Sequence, residues 1–152
     1  MRVKYMSETD AKEICSWEYP NEYKIYNVGG WETAVNNKWA IANKDLRNIQ
    51  FRSVYENEEL LGYFRFKQDK DKIILGLGIH PDKCGHGIGK QFMSFILKSE
   101  ELNNKLIELE VREFNTRAIK CYKSSGFKII KTEEKETIIG KDTFIVMQLK
   151  NF

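Results

Sequence analysis

Between residues 84 and 89 the chain reads Cys84-Gly85-His86-Gly87-Ile88-Gly89. Three glycines at alternate positions strip one side of the backbone of Cβ atoms, so its amides can approach an anion closely. A helix that follows directly adds the positive end of its dipole. A diphosphate is the anion that needs several such donors at once. Two well-known diphosphate patterns do not fit. The dinucleotide fingerprint G-x-G-x-x-G requires glycine where Lys90 or Phe92 stands, and the Walker pattern requires Ser or Thr where Gln91 follows Gly89-Lys90. The alternative is a purely structural glycine turn.

The surrounding elements place this loop. Lys72 to Ile79 is apolar and strand-like and is stopped by Pro81. Ile88, Phe92, Phe95 and Ile96 form the apolar stripe of an amphipathic helix expected over 87–102, which Asn103-Asn104 breaks. Ile107, Leu109 and Val111 alternate with Glu108 and Glu110, which predicts a strand, and a helix over 115–125 ends at Gly126. Upstream, Arg2 to Met6 alternates as a short strand. Ser7-Glu8-Thr9-Asp10 offers N-caps to a helix carrying Ala11, Ile14 and Cys15. Trp17, Tyr19, Tyr23, Tyr26 and Trp31 crowd a loop over 17–31, either lining a pocket or packing as core, and a second helix is expected over 31–40. Strands at 50–56 and 60–67 flank the turn Asn57-Glu58-Glu59, and a closing hairpin is expected at 127–135 and 137–149. The order predicts one α/β (α+β) domain over 1–152 around a mixed, mostly antiparallel sheet, with the unit over 72–111 pairing its strands in parallel.

The strand, Pro81, glycine loop and helix resemble motif A of the GNAT superfamily of N-acetyltransferases, [RQ]-x-x-G-x-[GA], with Cys84 where that family usually has arginine or glutamine. Leu109-Glu110-Val111 and Asn115, followed by Ala118, Tyr122 and Gly126-Phe127, look like the same family's L-x-V…N-x-x-A-x-x-x-Y-x-x-x-G-F block. The resemblance covers roughly residues 72–130. It implies a central sheet with helices on both faces and a splayed parallel strand pair that holds acetyl-CoA. Backbone groups around Leu77 and Ile79 would pair with the pantetheine arm. Gly85, His86, Gly87, Ile88, Gly89 and Lys90 would hold the pyrophosphate, and Asn115 would contact the arm. Tyr122 would face the thioester sulfur.

Acetyl transfer to an amine needs a neutral amine, a polarised carbonyl and a proton for the departing thiolate. Tyr122 is the candidate acid, a phenol of pKa ~10 facing a thiolate of comparable basicity. A packing role is its alternative, because Ala118, Cys121 and Tyr122 share a helical face. Glu110 is the candidate base, at a spacing from Tyr122 that resembles family members acting on protein N-termini. Glu108 and Glu113 are its alternatives, and a solvated strand face is the bland one. The stretch Ile73 to Ile79 holds no carboxylate, so a water relay is a further option. His80 reads as a strand-end residue and His86 as a loop residue that could assist phosphate binding. Cys84 lies near a helix N-terminus, which favours a thiolate, yet a nucleophilic role needs a base, and only His86 is near in sequence. Lys83, Lys90, Arg117 and Lys120 could steer phosphates. Two histidines with scattered carboxylates give no metal site.

Composition narrows the classes. Hydrophobic residues are 41% and charged residues 31%, an ordinary globular mix. Twenty-five basic against twenty-two acidic residues leave +3, too weak for a nucleic-acid partner. Cys15, Cys84 and Cys121 form no C-x-x-C pair. The first residues lack an apolar run of signal-peptide length, and no stretch reaches the ~20 apolar residues of a membrane span. The expectation is a cytoplasmic N-acetyltransferase that takes acetyl-CoA and an amine acceptor, small molecule or protein N-terminus, with a possible homodimer. A non-catalytic acyl-CoA-binding or sensing module of the same fold is the alternative.

Overall fold

The computed structural model describes residues 1–152. Its strands are β1 (Arg2–Tyr5), β2 (Phe51–Glu56), β3 (Glu59–Asp69), β4 (Lys72–Ile79), β5 (Lys105–Arg112), β6 (Lys128–Thr137) and β7 (Gly140–Asn151). Its helices are α1 (Glu8–Ser16), α2 (Trp31–Asn36), α3 (Lys44–Gln50), α4 (Ile88–Ile96) and α5 (Thr116–Ser124). The strands form one seven-stranded mixed sheet in the order β1-β2-β3-β4-β5-β7-β6, mostly antiparallel, with β4–β5 as the parallel pair. The parallel ladder is three pairs long, from Lys72 with Leu106 to Ile74 with Glu108, and β4 runs on to Ile79. No helix is long and apolar enough to cross a membrane. The chain divides into two compact units, Met1–Arg65 with Leu77–Cys84, and Phe66–Gly76 with Gly85–Phe152.

In the first unit, β1 and β2 pair antiparallel from Arg2–Tyr55 to Tyr5–Arg52. The β2–β3 hairpin turns on Asn57 and Glu58, both at positive φ, which matches the twist of its strands. Helix α1 starts in a capping box: the Ser7 hydroxyl accepts from the Asp10 amide and the Asp10 carboxylate accepts from the Ser7 amide. Its inner face buries Ala11, Ile14 and Cys15 against Met6, Trp17, Ala34, Ile41, Phe51 and Leu60. The Asp10 carboxylate is buried with them and accepts hydrogen bonds from the Ser53 and Tyr55 hydroxyls. The aromatic stretch is more ordered than a plain loop, because Asn21–Tyr26 forms a 3-10 helix. The helix expected over 31–40 stops at Asn36, Lys38 adopts a positive φ, and a 3-10 turn covers Ala40–Ala42. Helix α3, capped by the Asn43 side chain at Leu46, was not expected. Its buried residue is Arg47, whose Nη1 donates to the Ile41 carbonyl at 2.8 Å, so it shows no apolar stripe.

In the second unit, β7 pairs antiparallel with β5 on one side and β6 on the other. The unit's buried residues include Ile107, Leu109 and Val111 of β5, Val146 and Met147 of β7, Phe92, Met93 and Ile96 of α4, Ile119 of α5, and Phe127. Helix α4 ends at Ile96 rather than near 102. Leu97 and Leu102 are nevertheless buried, because the Asn151 side chain donates to both their carbonyls, at 2.7 and 2.8 Å, and ties down the turns. Buried apolar residues in turns imitate helical periodicity. The closing hairpin turns at Ile138-Ile139, two residues later than expected, since an apolar pair hides a turn.

Candidate active site

The glycine loop leads into α4 as expected. Gly85 and Gly87 have φ of +83° and +75°, a region that side chains rarely adopt, and Gly87 is the N-cap of α4. Gly87 has no side chain to cap the helix, so the first-turn amides of this nine-residue helix are donors of the kind that holds anions. A Cβ on Gly87 would meet nothing within 4 Å. Gly89 acts differently: a Cβ there would lie a tight 3.3 Å from the Cys121 sulfur on α5, so the glycine eases the approach of the two helices. Arg117, also on α5, puts Nη1 3.7 Å from the place of a Gly85 Cβ, which lays a guanidinium against the loop. His86 and Lys90 are exposed, and Ile88 is half-buried as the first residue of α4. Burial pushes the Cys121 thiol above its ordinary value, against the charge of Lys90.

Helix α5 carries the second block. Asn115 is its N-cap, and Oδ1 accepts from the Ala118 amide at 3.2 Å. Tyr122 lies in the second turn, half-buried, with its ring 6.0 Å from that of Phe127 at an interplanar angle of 57°. Glu110 sits on the charged face of β5, and both carboxylate oxygens are held by Lys135 of β6, at 2.5 and 2.7 Å. Glu108 accepts from Lys72 at 3.0 Å and from Gln148 at 2.9 Å, while Glu113 is exposed beyond the end of β5. The second unit therefore brings together the loop, Arg117, Lys90 and Cys121, and engages Glu110 elsewhere.

In the first unit, Leu77 and Ile79 occupy the end of β4, both half-buried. The Ile79 carbonyl accepts from the Tyr19 hydroxyl at 2.8 Å, and the Cys84 sulfur lies 3.6 Å from the same oxygen. Gly78 has no room for a side chain, because a Cβ would sit 2.5 Å from the Tyr63 ring. Trp17 packs against Tyr63 and His80 with ring centroids 6.3 and 5.2 Å away. The His80 Nδ1 accepts from the Asp82 amide at 3.1 Å, the strand-end role read for it in the sequence. Tyr19 was legible only as one of a crowd of aromatics. Its partner is sixty residues away, so spacing gives no signal for the contact.

Three comparisons bear on this arrangement. The acetyltransferase (GNAT) family model matches residues 11–127. The chain is similar to the UPF0157 protein YqkA of Bacillus subtilis (strain 168), 24% identical over 131 residues, which are 86% of this chain. The chain spans 38% of the length of that curated relative. Among solved structures, the ribosomal-protein-alanine N-acetyltransferase from Brucella melitensis superposes with a TM-score of 0.70 at 13% identity, covering 99% of both chains. The protein yncA from Salmonella typhimurium, solved with its cofactor acetyl-CoA, superposes with a TM-score of 0.67 at 17% identity, covering 99% of this chain and 94% of that one. At these identities the two structures share the fold.

Proposed function

The chain belongs to the acetyltransferase (GNAT) family, and from that premise we propose that it moves the acetyl group of acetyl-CoA directly to a primary amine of its acceptor. The observation that carries this reading is the loop itself, where two left-handed glycines deliver the amides at the start of α4 and Arg117 lies against Gly85. Amides, a helix dipole and a guanidinium together suit a diphosphate. In this reading residues 85–90 take the pyrophosphate and Asn115 contacts the pantetheine arm. Leu77 and the N–H of Ile79 are the backbone groups assigned to the arm.

The amine lone pair attacks the acetyl carbonyl and a C–N bond forms. The C–S bond breaks, and the leaving sulfur takes a proton from the Tyr122 hydroxyl. The proton lost by the amine goes to Glu110 or to water, and solvent returns a proton to the Tyr122 phenolate. The acyl-CoA-binding alternative gains weight from one observation: both Glu110 oxygens are engaged by Lys135, while β4 offers no carboxylate in its place.

Calorimetry with coenzyme A tests the cradle. Gly87→Asn places a side chain over the amides, yet asparagine tolerates the left-handed region, so the fold should hold. Binding should weaken by the ~1–3 kcal/mol of unmade hydrogen bonds, with little change in melting temperature. Parent-like affinity in that variant would move the cradle elsewhere.

A further inference from the structure

We infer that Tyr19 is a positioning residue that closes the run of available backbone groups on β4 at Ile79 and so fixes how far an extended thioester arm lies along that strand. This rests on the acetyl-CoA reading above. It turns on which way the backbone of β4 faces. The His80 amide donates to the Leu61 carbonyl on β3 at 2.8 Å. Neighbouring residues of an extended chain direct their backbone groups to opposite edges, so those of Ile79 and Leu77 face the edge away from β3. That is the edge on which the parallel ladder ends at Ile74.

On that edge the Ile79 carbonyl is already taken. A carbonyl oxygen has two lone pairs. The Tyr19 hydroxyl is at 2.8 Å and the Cys84 sulfur at 3.6 Å. An arm pairing along β4 therefore meets an acceptor at Leu77 and a closed one at Ile79.

Tyr19 is built to stay there. Its own amide donates to Asn27 Oδ1 at 2.7 Å, which folds the 3-10 segment Asn21–Tyr26 back on itself. Burial, with lesser help from Tyr63 and Cys84, pushes its phenol well above the ordinary tyrosine value. It stays a neutral donor at any physiological pH. Beneath it, Gly78 admits the Tyr63 ring, and Trp17 packs on Tyr63 and His80. The segment carrying the stop and the strand it stops are thus held together by contacts other than the hydroxyl.

The experiment compares the parent chain with Tyr19→Phe in three measurements: coenzyme A affinity by calorimetry, thermal melting, and steady-state kinetics with acetyl-CoA and propionyl-CoA. Opening the Ile79 carbonyl should leave coenzyme A affinity undiminished. It should lower kcat with acetyl-CoA about tenfold to a hundredfold, since a misplacement near 1 Å costs of that order. It should also raise the propionyl-to-acetyl ratio of kcat/KM. A merely structural tyrosine would lower the melting temperature and leave kcat and that ratio unchanged, which overturns the inference. Should Tyr19→Phe not fold, Cys84→Ala removes the sulfur shared at 3.6 Å between the Ile79 and His80 carbonyls and should move the ratio in the same direction by less. An unchanged ratio there also overturns it. A parent chain that neither binds coenzyme A nor releases thiol would instead defeat the acetyl-CoA reading, and the inference with it.

Discussion

In the proposed mechanism Tyr122 is the acid and Glu110 a candidate base, and they stand on different footings. Tyr122 is half-buried on α5 beside Phe127, so Tyr122→Phe keeps the ring packing and deletes only the proton. The expected outcome is a kcat lower by 10²–10⁴-fold, the usual range for general acid catalysis, with coenzyme A affinity unchanged. An unaltered kcat, where chemistry limits the rate, would take Tyr122 out of the mechanism. Glu110 is bound to Lys135 on a solvent-facing strand surface, where such a pair contributes only ~0.2–1 kcal/mol. Glu110→Gln and Lys135→Ala should therefore cost similar, small amounts in thermal melting. If Glu110 is the base, only Glu110→Gln should depress kcat/KM. Parallel kinetics of the two variants decide this, and equal activities would take Glu110 out of the mechanism.

At the scale of elements, the start of α1 is tied to β2 through one buried carboxylate. The Tyr55 hydroxyl donates to Asp10, and that bond, followed by partial burial, raises the Tyr55 pKa to about 12. A folded pKa above the unfolded value means the contribution is complete below about 10, the unfolded value, and is lost as pH climbs through about 12. Tyr55→Phe should thus melt below the parent at neutral pH, and the gap should close between those limits. Denaturant titrations at pH 8 and above check it, and a gap independent of pH would contradict it. The elements also divide by how well the sequence announced them. The glycine loop and α5 follow from adjacent residues and are where the sequence placed them, and the structure adds that Asn115 caps α5. The failures have other origins. Helix α3 turns a buried Arg47 inward and so lacks an apolar stripe. Leu97 and Leu102 extend the stripe of α4 past its end, because Asn151 from the far terminus holds the turn. The Tyr19–Ile79 bond joins residues whose neighbourhood only the fold creates.

For the whole molecule, membership of the acetyltransferase family and a seven-stranded sheet with one parallel pair support the proposed acyl-CoA chemistry, and the acceptor is the open variable. Any ligand that binds only the folded chain raises its melting temperature, by an amount set by concentration over Kd. Coenzyme A and acetyl-CoA should both do so, which establishes binding but not turnover. The most direct measurement is release of free thiol from acetyl-CoA by the purified chain, followed against a panel of amines that includes polyamines, amino acids and peptides with free N-termini. Thiol release should depend on both the chain and one class of amine, with an acetylated product of matching mass and with Tyr122→Phe slowing it. Saturable coenzyme A binding with no amine-dependent thiol release across the panel would contradict it, and would leave the chain a binder of acyl-CoA.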